Sequence, residues 1–490
     1  MANIIGVTNK SSKSLSSVVK KNLNNSVNPL SDEFVVKPTS NLKSIIESKI
    51  ADGDVKGAIR LLSSEETIAP QNTETLEKLI EKHPPPSREL NFPEQPNDSS
   101  ECLVVSEKEV RKSINSFKNG SAGGIDGIRP QHMKDLISKI TGAAGIRLLN
   151  CITQLCNIVL AGKVCNEIAE FFYGATLCAL IKKDGGIRPI AVGNAFRRLA
   201  AKLGCNSVRD YISNLFRPIQ LGFGVKGGCE AIIHAVRTFL QKNKGLEKIL
   251  LKIDFKNAFN SIERDEMLKE VKKHTPKLFP FLWQCYRSPS LLFFGNHTIP
   301  SQIGCQQGDP LGPLVFCLAI NSIISSLKQE INVWYLDDGT LADKPDLVLE
   351  NFKILVDKCE HFGLKINPSK CELHFCNEIS DDVVNQFNQI SPGIRVMNDD
   401  IELLGSSLYE SGCQKVLLKK LENMKISFER LKILKAHMAY YLLKHCFWIL
   451  KMSFIVRTTP MWHFKEITDK FDSCFKSAFE SITNINFNDF

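Results

Sequence analysis

Residues 333–341, Val-Trp-Tyr-Leu-Asp-Asp-Gly-Thr-Leu, place two adjacent carboxylates between two short apolar runs. This pattern predicts a β-hairpin whose turn carries Asp337 and Asp338. Neighbouring carboxylates on an apolar ribbon repel each other and lose solvation, so a cation is needed to compensate them. Their hard oxygen ligands suit Mg²⁺. The alternative is an ordinary solvated turn, because Asp-Asp-Gly is common in turns.

A second apolar stretch also ends in a carboxylate. Residues 248–255, KILLKIDF, predict a strand with Asp254 near its end, followed by a helix that continues past Glu263. A single acid at such a place is usually a helix cap. Two strands that both end in acids can bring those acids together in one sheet, and this favours a shared site with Asp337.

A third stretch combines two apolar strands with a basic tip. Residues 174–192, GATLCALIKKDGGIRPIAV, predict a hairpin with Lys182 and Lys183 at its tip and Arg188 at the start of the returning strand. Together these cations can bind a triphosphate, the arginine through a bidentate fork. The alternative is a solvated charged turn.

Composition narrows the class of protein. The 490 residues suffice for two to four domains, and 43% hydrophobic with 23% charged residues is ordinary globular composition. A net charge of +9 favours a polyanionic partner. The 16 cysteines form no Cys-x-x-Cys pair, which indicates reduced thiols. We find no signal peptide and no transmembrane segment, so we expect a nuclear or cytoplasmic protein without membrane contact.

The chain divides into four regions by composition. Residues 1–40 are rich in Ser, Asn and Lys and are predicted to be disordered. Residues 41–100 show helical spacing followed by a proline-rich linker. Residues 101–410 mix helices and strands and carry the motifs above. Residues 411–490 are helical and basic, which suits contact with a nucleic-acid backbone, although a solvated basic face is the simpler alternative.

The order of these motifs resembles the reverse transcriptase domain of non-LTR (LINE-like) retrotransposons. The motifs that carry the resemblance are, in chain order, SAGGIDGIRP (121–130), KKDGGIRPIAV (182–192), KIDFKNAFNSI (252–262), GCQQGDPLGP (304–313), WYLDDG (334–339), GLKINPSK (363–370) and LLGSSL (403–408). The resemblance implies an α+β right-hand polymerase of fingers, palm and thumb, with an antiparallel palm sheet. It assigns residues 101–410 to fingers and palm, with core motifs in 165–408, and residues 411–490 to a thumb-like region.

The resemblance also implies the catalytic and metal-binding residues. In this family the palm carboxylates bind two Mg²⁺ ions, which Mn²⁺ can replace. The matching catalytic and metal-binding residues are Asp254, Asp337 and Asp338, together with the backbone carbonyl of Phe255.

Further matches concern the substrates. Lys370 matches a proposed general acid for pyrophosphate, and Leu404 and Gly405 match the primer grip. Phe259 matches a ring that excludes a ribose 2′-OH, although core packing is the alternative. The residues implied to bind the dNTP are Lys182, Arg188, Phe259, Gln307 and Gly308.

The function implied by the resemblance is an RNA-directed DNA polymerase that extends a DNA or RNA primer 3′-OH along an RNA template with dNTPs. A viral or intron-type polymerase of the same superfamily is a related alternative. The non-enzymatic alternative is a catalytically dead or domesticated copy that only binds nucleic acid. No endonuclease pattern accompanies the motifs, so we expect an endonuclease to be supplied elsewhere.

Overall fold

The computed structural model describes residues 39–63, 67–97, 99–182, 185–398, 401–447 and 449–486. The expected disorder of residues 1–40 falls, up to residue 38, outside the described residues, and so does Lys183. The described chain mixes helices with three sets of paired strands.

The helices are α1 (Thr39–Ala51), α2 (Val55–Ser63), α3 (Thr73–Glu81), α4 (Glu107–Asn115), α5 (Pro130–Leu136), α6 (Gly142–Leu160), α7 (Asn166–Phe172), α8 (Ala195–Phe216), α9 (Gly228–Lys242), α10 (Ala258–Ser261), α11 (Arg264–His274), α12 (Phe279–Tyr286), α13 (Gly312–Ile324), α14 (Pro345–His361), α15 (Asp381–Ile390), α16 (Glu410–Leu431), α17 (Ala436–Leu442), α18 (Ile449–Thr458) and α19 (Lys465–Thr483). The strands are β1 (Ala175–Ile181), β2 (Ile187–Gly193), β3 (Ile249–Ile253), β4 (Ser290–Phe294), β5 (His297–Ser301), β6 (Ile331–Tyr335), β7 (Asp338–Asp343), β8 (Glu372–Phe375), β9 (Arg395–Met397), β10 (Glu402–Leu403) and β11 (Ser406–Ser407).

The central sheet has the strand order β6-β7-β3-β8-β9. Its middle strand β3 is apolar on both faces: Leu251 packs into the large core on one side, and Leu250 packs with α9 on the other. A strand that is covered on both faces has a continuous run of apolar residues in its sequence, which explains why residues 248–253 are mostly apolar and do not alternate.

The expectation of an antiparallel sheet needs one correction. The β6–β7, β7–β3 and β3–β8 pairings are antiparallel, but β9 runs parallel to β8. The chain between these two strands passes through α15, and such a crossover returns it in the same direction.

A second sheet has the order β2-β1-β4-β5 and contains the predicted hairpin. Strands β1 and β2 pair antiparallel along their whole length, from Ala175 with Gly193 to Ile181 with Ile187. The hairpin prediction for residues 174–192 is therefore confirmed. Strand β2 leads directly into α8, whose first turn is capped by Asn194.

The prediction that the helix after β3 continues past Glu263 is wrong. Helix α10 ends at Ser261, and α11 begins at Arg264. Between them the backbone bonds elsewhere: the carbonyl of Ile262 accepts from Gly304, and the N–H of Glu263 donates to Phe362. These tertiary bonds interrupt the helical pattern.

The segment after α3 runs along α11. Arg88 donates two hydrogen bonds to Asp265, at 2.8 and 3.0 Å, and the Asp265 side chain is fully buried. Ser87 donates to Glu263 at 2.7 Å through its hydroxyl. The proline-rich stretch is thus packed against the central part of the protein.

One helical segment, Lys139–Leu160, is long and apolar enough to cross a membrane by length and composition alone. One face of this segment packs into the large core through Leu149, Ile152, Cys156 and Val159. A core helix passes the same test of length and composition, so this segment is weak evidence for a membrane span.

The first two helices complete the core of the C-terminal helices. Ile46, Ala58 and Leu62 are fully buried in one cluster with Leu417 and Phe428 of α16. Apolar surface from both ends of the described chain is therefore removed from water at one place.

We expect Leu62→Ala to lower the free energy of unfolding by about 2–5 kcal/mol, because it opens a cavity in this cluster. Leu418→Ala is the matched control, since Leu418 is 42% exposed. Urea unfolding of both variants measures the difference. Equal stability of the two variants would show that α2 does not contribute to this core.

Candidate active site

The turn between β6 and β7 carries the adjacent carboxylates. Tyr335 pairs with Asp338, so Leu336 and Asp337 form the two-residue turn. This confirms the predicted hairpin, but the prediction that the turn also carries Asp338 is wrong, because Asp338 pairs with Tyr335 as the first residue of β7. Leu336 has a φ of +58°, a left-handed conformation that is unusual for a bulky apolar residue and must be stabilised by its surroundings.

Gln220 stabilises this turn. Its Oε1 accepts hydrogen bonds from the N–H groups of Leu336 at 2.8 Å and Gly222 at 2.9 Å, and its Nε2 donates to the Leu336 carbonyl at 2.9 Å. Gln220 is fully buried. A Cβ on Gly222 would lie 2.4 Å from the Leu336 nitrogen, so the approach requires glycine. Sequence reasoning missed Gln220, because a single glutamine in a loop carries no local signal.

Asp254 lies at the same end of the sheet. Ile253 pairs with Gly339, so the register brings Asp254 next to Asp338. Asn367 fixes Asp254 twice: its Nδ2 donates to Oδ1 at 2.8 Å, and its backbone N–H donates to the Asp254 carbonyl at 2.8 Å. Asn367 belongs to the GLKINPSK motif, but sequence reasoning did not assign it this contact with Asp254.

Phe255 follows Asp254 and anchors the strand end in the core. It is buried, and its ring stacks on Trp334 of β6 at a centroid distance of 6.0 Å. On either side of Phe255 the backbone bonds to the segment around Ile366. The backbone that bears the predicted carbonyl ligand is therefore held firmly beside Asp254.

The three carboxylates interact electrostatically. Burial, followed by the charge of Asp254, raises the pKa of Asp337, while Arg188 and Lys182 oppose this shift. Burial, followed by the charges of Asp337 and Asp254, raises the pKa of Asp338 to about 6. The site thus concentrates negative charge that the protein only partly compensates.

This donor set fits a divalent cation. Within the described residues, no three His, Cys, Asp or Glu side chains already form a metal-binding cluster. The three aspartates nevertheless supply hard oxygen donors at one end of the sheet, and a cation would compensate the burial and the mutual repulsion that raise the pKa values of Asp337 and Asp338. Asp254, Asp337 and Asp338 are therefore the candidate ligands for a divalent cation such as Mg²⁺.

The basic hairpin faces these carboxylates. Lys182 and Arg188 both lower the pKa of Asp337, which places their charges near it. Arg188 is exposed and lies opposite Leu180 in the hairpin register. The structure therefore brings the predicted triphosphate-binding cations and the carboxylates to one site.

The loop with Gln307 and Gly308 lies against β2. The carbonyl of Gln307 accepts a hydrogen bond from the Ala191 N–H at 2.8 Å. Gly308 has a φ of +125°, and a Cβ there would lie 2.5 Å from the Ala191 carbonyl oxygen. Only glycine permits this approach, and it leaves Gly308 exposed beside the basic hairpin.

Phe259 has a packing role. Its ring is half-buried and stacks on Phe316 of α13 at a centroid distance of 4.5 Å. Its carbonyl accepts from Cys305 at the start of the Gln307 loop. One face of the Phe259 ring therefore packs in the core, as the alternative interpretation expects. The exposed part of the ring is available to a ligand.

A cavity of about 460 Å³ opens beside the carboxylates. Asp254 and Asp338 line one side of it, and Lys370 and Leu404 line others. Lys370 is exposed, and its charge lowers the pKa of Asp338. The predicted general acid thus lies within electrostatic range of the carboxylates.

The turn of Leu404 and Gly405 joins β10 to β11. Both residues have positive φ values, 48° and 82°, as a two-residue hairpin turn requires. Lys252 of β3 donates to the Glu402 carbonyl at 2.5 Å, and Arg237 of α9 donates to Ser407. This turn is therefore tied to the strand that ends at Asp254.

Asp338 gives the site a pH-dependent stability. Because folding raises the pKa of Asp338, the folded state binds more protons than the unfolded state between about pH 4 and 6, and stability falls as pH rises through this window. We expect Asp338→Asn to remove this loss and to raise the melting temperature at pH 7. Thermal unfolding from pH 4 to 8 measures it.

Asp343, at the other end of β7, is the matched control. Burial alone would raise its pKa, but the hydrogen bond from Lys248 lowers it, so its stabilisation is lost as pH falls. Asp343→Asn should therefore lower the melting temperature at pH 7. A lower melting temperature for Asp338→Asn at pH 7 would contradict the first expectation.

Comparisons with known proteins relate this chain to reverse transcriptases. Residues 180–408 match the family described as reverse transcriptase (RNA-dependent DNA polymerase). The chain is 27% identical over 299 residues to the retrotransposable element SLACS 132 kDa protein of Trypanosoma brucei gambiense, covering 58% of this chain and 24% of that protein. It is 25% identical over 288 residues to the retrovirus-related Pol polyprotein from type-2 retrotransposable element R2DM of Drosophila melanogaster, covering 55% and 26%.

A more distant match is the putative COX1/OXI3 intron 1 protein of Saccharomyces cerevisiae, 21% identical over 183 residues, which cover 36% of this chain and 21% of that protein. The chain contains a reverse transcriptase domain. Its similarity to two retrotransposon proteins supports a non-LTR reverse transcriptase domain, in agreement with the resemblance of the seven motifs. The chain spans about a quarter of the length of the two retrotransposon relatives.

Proposed function

We propose that this protein is an RNA-directed DNA polymerase that adds dNTPs to a DNA or RNA primer 3′-OH along an RNA template. The observation that carries the proposal is the grouping of Asp254, Asp337 and Asp338 at one end of the central sheet, within electrostatic range of Lys182 and Arg188. The match of residues 180–408 to reverse transcriptases supports it. A template and a primer are then its nucleic-acid partners.

In this proposal the central sheet belongs to the palm, and the β1–β2 hairpin belongs to the fingers. Residues 101–410 form fingers and palm, and residues 411–490 form a thumb-like region. The helical packing of α16 to α19 supports the last assignment.

The carboxylates of Asp254, Asp337 and Asp338 and the carbonyl of Phe255 would hold two Mg²⁺ ions, or Mn²⁺ in their place. Bound there, the ions supply Lewis-acid chemistry for nucleotidyl transfer. Asn367 orients the Asp254 carboxylate through a 2.8 Å hydrogen bond. The exposed side of the site remains open for substrate oxygens.

The remaining residues bind and orient the substrates. Lys182 and Arg188 bind the triphosphate, because a guanidinium and an ammonium match phosphate oxygens. Gln307 and Gly308 pack against the nucleotide, and Phe259 excludes a 2′-OH by its bulk.

Two further elements act on the leaving group and the primer. Lys370 holds a proton on Nζ that can pass to the leaving pyrophosphate. Leu404 and Gly405 form a turn that grips the primer backbone near its 3′ end. Both lie on the side of the carboxylates where the cavity opens.

Primer extension with the purified full chain tests the proposal. We expect Mg²⁺-dependent extension of a DNA primer on an RNA template, with strong preference for dNTPs over rNTPs. A template–primer that binds tightly but is not extended with Mg²⁺ or Mn²⁺ would refute the polymerase. That outcome would support the catalytically dead, nucleic-acid-binding copy, which the intact carboxylates do not favour.

The proposal includes an endonuclease, supplied elsewhere, that provides the primer end on target DNA. Target-primed integration of this kind would place the protein in the nucleus.

A further inference from the structure

A buried ion pair joins α8 to the loop before α13. Arg197 Nε lies 3.0 Å from Asp309 Oδ2, and the two side chains are 1% and 4% exposed. Removing both charges from water costs several kcal/mol per ion, so such a pair is weak evidence for stability. Its best-attested use is to fix one arrangement of the chain.

Arg197 is held from several directions. Its Nη1 donates to the Tyr173 carbonyl, which also accepts from Gln306 Nε2 at 2.9 Å. Its guanidinium carbon lies 5.8 Å from the ring centre of Tyr173 and 6.0 Å from that of Tyr286. Burial by itself would lower the pKa of Arg197, but the charge of Asp309 together with interactions with Cys285, Tyr286 and Tyr173 raises that pKa on balance. Arg197 is therefore a fixed cation.

Asp309 determines the shape of its loop. Its Oδ1 accepts from the Leu311 N–H at 2.8 Å, and its own N–H donates to the Gln306 carbonyl at 3.1 Å. Gln307 and Gly308 lie between these contacts. The carboxylate thus connects the loop's internal hydrogen bonds to Arg197.

The same loop is in register with β2. The Ala191 N–H donates to the Gln307 carbonyl at 2.8 Å, and Gly308 lies directly on the Ala191 carbonyl. Arg188 is three residues before Ala191 on this strand, and Arg197 is in the helix that follows the strand. The ion pair therefore connects α8, which follows β2, to the loop that packs against β2.

We infer that Arg197 and Asp309 are positioning residues that hold Gln307 and Gly308 in register with β2 and with Arg188. Nucleotide-binding groups from two separate elements then keep one relative position without rearranging when a nucleotide arrives. Neither residue of the pair contacts the nucleotide in this account, and the inference rests on the proposed function.

The double variant Arg197→Met/Asp309→Asn tests this inference. It removes both charges, so no buried ion is left unpaired, and the asparagine can still accept from Leu311. Replacing a buried ion pair by neutral residues is often neutral for stability. We expect the KM for dNTP to rise about tenfold or more, because misplacement by about 1 Å can cost about a hundredfold. The Kd for template–primer should stay within about twofold.

Hydrogen exchange of the same variant gives a readout that does not depend on polymerase activity. Peptides covering residues 187–193 and 303–312 should exchange faster than in the wild type, because the Ala191–Gln307 hydrogen bond loses its support. Peptides covering 264–274 should not change. If the wild type extends no primer, the proposed function fails, and exchange alone still tests the positioning role.

Asp265→Asn is the matched control. Asp265 is also a fully buried carboxylate on α11, but its side chain accepts hydrogen bonds from Arg88, Asn91 and Glu266 and not from the Gln307 loop. We expect it to lower the melting temperature without changing the KM for dNTP. An unchanged KM and unchanged exchange at 303–312 in the folded double variant would overturn the inference. An equal rise in KM for Asp265→Asn would overturn it as well.

Discussion

Replacing Asp337 with asparagine is expected to reduce primer extension at least about a thousandfold while the protein stays folded. Metal ions at such carboxylates stabilise the transition state by several kcal/mol, and about 4 kcal/mol corresponds to about a thousandfold in rate. The asparagine keeps the shape of the turn but removes the charge that faces Arg188 and Lys182.

The folded state should not suffer from this replacement. Burial raises the pKa of Asp337, so its charged form is disfavoured by folding, and a neutral residue relieves that penalty. Without Mg²⁺, the melting temperature of the variant at pH 7 should therefore equal or exceed that of the wild type. A gain in stability with a loss of activity is typical of a functional site.

Thermal unfolding with increasing Mg²⁺ separates metal binding from catalysis. A cation that binds only the folded state raises the melting temperature with concentration. We expect this rise for the wild type and a much smaller one for Asp337→Asn. Asp343→Asn, at the far end of β7 and bonded to Lys248, should keep both the Mg²⁺ response and the extension rate. Extension by Asp337→Asn within tenfold of the wild type would refute the metal-binding role.

The sequence predicted the parts of this site that have a local signature. The hairpin at 174–192 and the hairpin at 333–341 show apolar alternation interrupted by turn residues, and both occur in the structure. The strand before Asp254 was recognisable because β3 is buried on both faces. Local patterns of this kind determine local structure, so one chain is enough to find them.

The supporting contacts could not be predicted, because they join distant parts of the chain. Gln220 and Leu336 are 116 residues apart, and Asn367 and Asp254 are 113 residues apart. The break between α10 and α11 has the same origin, since the carbonyl of Ile262 bonds to Gly304. Periodicity within a segment contains no information about such partners.

Among substitutions outside the three aspartates, Gln220→Leu is expected to have the largest effect on stability and on kcat. It removes three hydrogen bonds and leaves both the N–H and the carbonyl of Leu336 without their buried partner. Each buried group left unsatisfied costs about 1–3 kcal/mol. Leu336 also keeps its left-handed conformation only while its surroundings enforce it, and the conformation itself costs about 1–3 kcal/mol.

The expected functional result is a fall in kcat of about a hundredfold, because relaxation of Leu336 moves the adjacent Asp337. Gln220→Glu should be intermediate, since its carboxylate can still accept from Leu336 and Gly222 but cannot donate to the Leu336 carbonyl. Steady-state primer extension at a temperature where each variant is folded measures kcat.

Gln284 provides the control that separates stability from positioning. It also makes three hydrogen bonds, two with the backbone of Val164 and one with the hydroxyl of Tyr173. Gln284→Leu should therefore lower the melting temperature by a similar amount but leave kcat within about threefold, since Gln284 makes no hydrogen bond to the turn of Asp337 or to the segments that carry Asp254 and Asp338. If both variants lost kcat equally, the loss would reflect stability alone. A larger loss for Gln220→Leu would mean that a buried glutamine 116 residues away from Leu336 determines the position of the neighbouring Asp337.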